Sequence, residues 1–173
     1  MTILEIIKHI EINENYQGIN LTEFSFDADD FVSNDQIVNT FLKSKSFSYD
    51  SLPDCVKREP KKGYLRRAFY MEHIEINDFK KCNNEGLIKF LVDFLNEPNW
   101  GDDRINFERL LNKYFEIHNP YEKNDFYIIS KDWFEEENKK LTEPENLIYI
   151  FYFLIISVDR KSKRLTLTEW TYD

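Results

Sequence analysis

The chain has 173 residues, 42% of them apolar and 32% charged, with a formal net charge of -9. That length and apolar content suit one ordinary domain able to bury its own core without metal or disulfide, and the scarcity of Gly (4) and Pro (5) excludes a collagen-like or linker-rich protein. The acidic balance disfavours non-specific contact with nucleic acid, whose phosphates it repels, and favours a basic protein partner.

In chain order, Ile3, Leu4, Ile6, Ile7 and Ile10 recur at near-helical spacing and predict a short amphipathic helix over residues 2 to 10. After Gly18, INLTEFSF alternates apolar and polar side chains through Ile19, Leu21, Phe24 and Phe26, the pattern of a strand with room for a bulge. The acidic turn DADD follows, and then Asn34 or Asp35 is placed to cap a helix whose one face carries Ile37, Val38, Phe41 and Leu42. Residues 47 to 62 read as irregular, with Pro53 and Pro60 before Gly63. YLRRAFYMEHIEIN fits either a helix passing into a strand or one continuous strand.

Residues 84 to 95 carry Leu87, Ile88, Leu91, Val92, Phe94 and Leu95 on a wide apolar face and predict a helix. A second helix follows through Ile105, Leu110, Leu111, Tyr114 and Phe115, capped by Asp102 or Asp103 and stopped by His118-Asn119-Pro120. The short connection makes the two an antiparallel pair. Asp125 to Ile129 predicts a strand, and DWFEEENKKL, acidic early and basic late, a further helix. Leu147 to Val158 is the most apolar run. Its twelve residues are too few for a bilayer core, which requires about 20 helical residues, and its β-branched and aromatic content predicts a strand covered on both faces. The turn DRKSKR then leads into RLTLTEWTYD, completing a C-terminal β-hairpin whose first strand is central. The expected architecture is one α+β domain over residues 1 to 173, with helices packed on an antiparallel or mixed sheet.

Few residues point to chemistry. Cys55 and Cys82 are far apart and outside any CxxC spacing, so neither a disulfide framework nor a zinc knuckle is expected. His73-Ile74-Glu75 matches one half of a zinc deaminase motif, but the PCxxC half is missing. A thiol nucleophile would need Cys55 or Cys82 to meet His73 or His118, and nothing local arranges that. GxSxG, GxGxxG and GxxxxGK[ST] are all absent. No catalytic residue, cofactor or metal is therefore expected. The N-terminus lacks the uninterrupted apolar stretch of a signal peptide, which makes the cytoplasm the expected compartment.

Charge is uneven along the chain. Residues 1 to 50 hold three Lys against nine acids, while KREPKKGYLRR, residues 57 to 67, holds six basic side chains against one acid. On an acidic protein the basic stretch is expected to meet the chain's own acids or to sit beside a partner's, and the cluster Glu23, Asp27, Asp29 and Asp30 to meet a basic partner. The triple Glu135, Glu136 and Glu137 reads as a solvent-facing surface.

A small, acidic, Gly-poor chain ending in a hydrophobic strand, a charged turn and a Trp/Tyr-containing strand, IISVDRKSKRLTLTEWTYD, resembles the immunity proteins of bacterial polymorphic-toxin systems. The resemblance covers about the last thirty residues and the general character of the chain, and no residue role carries over from it. It implies a cytoplasmic, non-catalytic inhibitor that binds one cognate toxin and blocks its active site. On that view Glu23, Asp27, Asp29 and Asp30 meet a cationic toxin surface, and Trp170 and Tyr172 stand at an accessible end. Two rival classes remain open at this point: a small enzyme with a cleft around His73, Glu75 and His118, and a structural or scaffold subunit.

Overall fold

A computed structural model describes residues 2–47, 64–65, 69–70, 74–97, 100–119, 125–130 and 151–172; the side chains of 2–4, 64–65 and 69–70 are outside that description. The expectations for residues 47 to 62 beyond Phe47, for His73, for DWFEEENKKL and for Leu147 to Ile150 therefore lie outside the described residues.

In chain order the elements are β1 (Thr2–Glu14), β2 (Gln17–Asp27), α1 (Asn34–Leu42), β3 (Tyr64–Leu65), β4 (Phe69–Tyr70), β5 (Lys80–Cys82), α2 (Asn84–Leu95), α3 (Arg104–Ile117), β6 (Asp125–Ser130), β7 (Phe151–Asp159) and β8 (Arg164–Tyr172). Short 3-10 turns at Ile76–Asp78 and Gly101–Asp103 precede β5 and α3. Six strands form one antiparallel sheet in the order β1-β2-β8-β7-β6-β5, while β3 and β4 pair separately. This is the α+β class, with the C-terminal hairpin β7–β8 at the centre of the sheet.

The sheet has two apolar faces, and each is covered. On one, α1 and the turn at Ile76–Asp78 pack through Ile37, Val38, Phe41, Ile74 and Phe79 onto Phe24, Phe26, Leu154, Ile156, Leu165 and Leu167. On the other, α2 and α3 pack through Leu87, Leu91, Phe94, Phe107, Leu110 and Tyr114 onto Ile19, Leu21, Phe126, Phe153, Ile155 and Trp170. A strand enclosed on both sides has no polar face to present, so β7 is buried from Phe151 to Val158.

Residues 2 to 10 are strand and not helix. β1 pairs with β2 throughout, but its register slips between Ile3 and Glu5 and again between Ile6 and Lys8. Each slip inserts one residue into a period of two, so positions facing one way fall three apart. Positions 3 and 6, opposite Phe26 and Phe24, fall on a common face for that reason. The spacing imitates a helix, but the run of β-branched isoleucines belongs to a pleated edge.

The helices α1, α2 and α3 follow their apolar periodicity, with the α1 cap one residue earlier than expected and the α3 cap at the expected Asp103. Ser33, ahead of the expected Asn34 or Asp35, closes a capping box with Gln36: its hydroxyl accepts from the Gln36 amide (3.2 Å), and the Gln36 side chain accepts from the Ser33 amide (2.8 Å). Asn83 caps α2 by accepting from the Gly86 amide at 3.0 Å. A Cβ on Gly86 would come within 2.7 Å of the Cys82 Cβ, so glycine is what lets α2 start this close to β5. Asp103 holds the cap position of α3 but uses its side chain elsewhere, as acceptor for the Tyr172 hydroxyl.

Candidate functional site

The acidic loop between β2 and α1 lies beside the turn joining β7 to β8. Arg164 stands opposite Ser25 across the β2–β8 ladder, and the Phe26 amide donates to the Lys163 carbonyl at 3.1 Å. The turn is tightened by Asp159, which accepts from the amides of Lys161 (3.1 Å) and Ser162 (3.3 Å), and Lys163 takes a left-handed φ of 54° to re-enter the sheet. Its cations then reach across to the loop.

Those contacts divide the four expected acids. Lys163 bonds Asp27 at 2.7 Å, and that hydrogen bond, aided by the opposite charge, holds the Asp27 carboxyl below the usual range and raises the Lys163 ammonium. Arg164 sits 3.4 Å from Glu23, which is half-buried. Asp29 and Asp30 remain exposed. What presents negative charge at the end of the sheet is therefore the tip of the loop, Asp29 and Asp30, and not the whole segment.

Between those acids and α1 stands Phe31, 99% exposed. Its loop is nonetheless held. The Arg160 guanidinium donates to the carbonyls of Asp29 (3.0 Å) and Val32 and reaches the Asn34 side-chain oxygen at 3.5 Å, while the Val32 amide closes a turn onto the Asp29 carbonyl at 3.1 Å. The Ser33 capping box fixes the next residues. Asn34 donates to Asp125 at 2.7 Å, and Lys81 ties Asp125 (3.4 Å) to Asp35 (2.7 Å), which also accepts from the Tyr127 hydroxyl at 2.5 Å. The hydrogen bond from Lys81, then that from Tyr127, lowers the Asp35 pKa. This network anchors the start of α1 on β5 and β6, so Phe31 projects from a fixed base. Periodicity gives no hint of it, since Phe31 belongs to no apolar face; the available signal is an aromatic set between two acids and a capping serine.

Trp170 and Tyr172 are not at an accessible end. Trp170 has no solvent exposure and lies among Phe107, Tyr114 and Phe153, with ring centroids 5.2–5.3 Å away. Tyr172, also buried, lies parallel to Trp100 at 6.2 Å. Glu169 is buried on the opposite face, where it accepts from the Tyr152 hydroxyl. The cause is position: β8 lies between β2 and β7, so both of its faces are covered. Tyr172 pairs with Gln17, at the far end of β2 from Asp27, so these aromatics and the acidic loop do not share a surface.

The residues proposed for a cleft do not converge either. Exposed Glu75 precedes a turn on the α1 side of the sheet, whereas His118 is buried on the α2–α3 side, its Nε2 3.1 Å from the Ser157 hydroxyl and its ring against Tyr114. The sheet separates them. Cys82 lies beside a cavity of about 290 Å³ bordered by Lys89, Phe90, Asp93 and Phe94, and burial pushes its thiol up to about 11. At neutral pH it is a protonated thiol and not a nucleophile. Among the described residues no three His, Cys, Asp or Glu side chains are grouped to hold a metal, and no helix is long and apolar enough to cross a membrane.

These shifts predict alkaline sensitivity. The Tyr172 hydroxyl, held by the Asp103 carboxylate and by burial, is pushed up from 10.0 to about 12, and Cys82 from 9.0 to about 11. Both groups are held neutral in the fold, so their contribution is complete below the unfolded pKa and is lost as pH rises through the folded one. The urea midpoint is expected to fall steadily between pH 9 and 12, and Tyr172→Phe to remove part of that slope. A flat midpoint across that window would contradict the hold of Asp103 on Tyr172 and the burial of Cys82.

Comparison of the chain with protein-family models, with curated proteins and with solved structures finds no match.

Proposed function

We propose that this chain is a non-catalytic, protein-binding inhibitor, an immunity protein that neutralises a cognate bacterial toxin in the cytoplasm of the producing cell. The observation that carries the reading is Phe31, a fully exposed aromatic on a loop held by Arg160 and flanked by Asp29 and Asp30. Exposing a large apolar side chain from an ordered base gives the free protein nothing, whereas aromatic anchors set in a desolvated pocket dominate the energy of protein interfaces. A held loop also binds with less ordering cost than a mobile one. The acids beside it would steer a cationic surface into place.

The direct test reads the neighbouring reading frame for a large upstream gene with a variable C-terminal domain, and co-expresses that domain with this chain. Growth rescue is the expected result, and continued toxicity with both proteins soluble would refute the pairing. With that toxin in hand, reversing Asp29 and Asp30 together to Lys is expected to slow association about tenfold at low salt, with the difference shrinking as salt is added. Folding should be unaffected, since both side chains are exposed. An unchanged association rate at low salt would remove the acids from the mechanism.

A further inference from the structure

The two ends of the sheet differ. β5 closes one edge with three residues, while β1 leaves thirteen on the other, about 40 Å of strand. Among the described residues no strand pairs with the outer side of β1. Ile6 and Ile7 are 47% and 43% exposed there, between exposed Glu5 and Lys8. Edges of this length are normally blunted by charge and by bulges, and β1 has both. A bulge blocks a regular strand because its extra residue breaks the spacing of the ladder.

Against a second copy of itself the slip between Ile6 and Lys8 matches, while the slip between Ile3 and Glu5 meets the regular stretch after Lys8 and confines the pairing to residues 5 to 8 of each copy. We propose that β1 pairs antiparallel with β1 of another molecule of this chain, about a twofold axis between Ile6 and Ile7. That register sets Glu5 of each copy opposite Lys8 of the other, and Ile6 opposite Ile7. Residues directly opposite in an antiparallel pair share a face. In a regular strand Glu5 and Lys8, three apart, would point to opposite faces and could not meet. Here Glu5 stands opposite Ser25 and Lys8 opposite Glu23, two residues apart on β2, so the bulge brings both charges to one face. Two ion pairs then flank four isoleucines, and the two sheets join along that short segment. The contact is small, so the dimer is weak, with a dissociation constant on the order of tens of micromolar. This inference does not depend on the inhibitor reading.

Sedimentation velocity on the purified chain, over about a hundredfold range of concentration into the sub-millimolar, is expected to show a monomer–dimer equilibrium that weakens with salt. Glu5→Lys and Lys8→Glu, each making two like-charge contacts, should weaken it about tenfold. The double variant should restore it, and so should an equimolar mixture of the two single variants, because the lysine pair on the edge of one then faces the glutamate pair on the edge of the other. Recovery on mixing cannot arise from a misfolded variant. A monomer at every concentration, a dimer indifferent to both reversals, or single losses that neither the double variant nor mixing repairs would each overturn the proposal.

Discussion

Replacing Trp170 by alanine is expected to destabilise the protein by about 3–5 kcal/mol, a large part of the 5–15 kcal/mol that holds a typical domain folded. The side chain has no exposure and fills the space between the sheet and α3, stacked on Phe153 and set edge-on to Tyr114. Its removal leaves a cavity whose walls are other rigid rings, Phe107 among them, which cannot close over it. Trp170→Phe keeps most of the packing and removes an indole N–H that has no acceptor among the described residues, so its cost should be far smaller. Urea denaturation followed by circular dichroism measures both. An alanine variant within 1 kcal/mol of wild type would mean that β8 is not the covered centre of the sheet. The phenylalanine variant should also bind a partner normally, because no part of Trp170 reaches the surface.

The same residue shows where sequence and structure part. The helices α1, α2 and α3 are legible because their apolar residues follow one face, and Pro120 marks the limit of α3, whereas the pattern does not single out the caps Ser33 and Asn83. β7 is legible because burial on both sides leaves an unbroken apolar run. β8, equally buried, alternates leucines with Thr166 and Thr168 and carries Glu169 in line with the leucines, and polar residues in a strand read as a solvent face. A threonine is small enough to be enclosed in a central strand, and Glu169 is tolerated because Tyr152 bonds it. Composition alone does not separate those cases. β1 misleads for a different reason, since two inserted residues change its apparent period.

Charge is the least legible feature. The acidic segment stands out in the sequence, but Lys163, which pairs with Asp27, lies 136 residues away, and Arg164, beside Glu23, is equally remote. Only the β2–β8 pairing brings them together. It pairs Glu23 and Asp27 with cations, which among the described residues leaves Asp29 and Asp30 as the exposed acids of the segment without an ion pair, and it also supplies Arg160, whose guanidinium orders the backbone that carries them. The basic turn and the acidic loop, separate features in the sequence, form one rigid unit. For the proposed inhibitor role that unit would be a better docking element than a uniform acidic patch, because its shape is set before a partner arrives.

Phe31→Ala separates this role from stability. In the free protein the side chain is almost entirely in water, so unfolding midpoints should stay within about 0.5 kcal/mol of wild type. In the proposed complex with a toxin it would occupy a pocket, and its truncation should weaken binding by about 2–4 kcal/mol, roughly 30- to 1000-fold in dissociation constant. The loss should appear in the dissociation rate, whereas reversal of Asp29 and Asp30 should appear in the association rate. Arg160→Met supplies a third arm: it leaves Phe31 and both acids in place but removes the donors to the Asp29 and Val32 carbonyls. If the held loop matters, that variant should bind more weakly by an intermediate amount, as the loop must then be ordered on binding. Surface plasmon resonance on immobilised toxin resolves all three. Equal affinity for wild type and Phe31→Ala would move the interface away from this loop, however acidic the loop is.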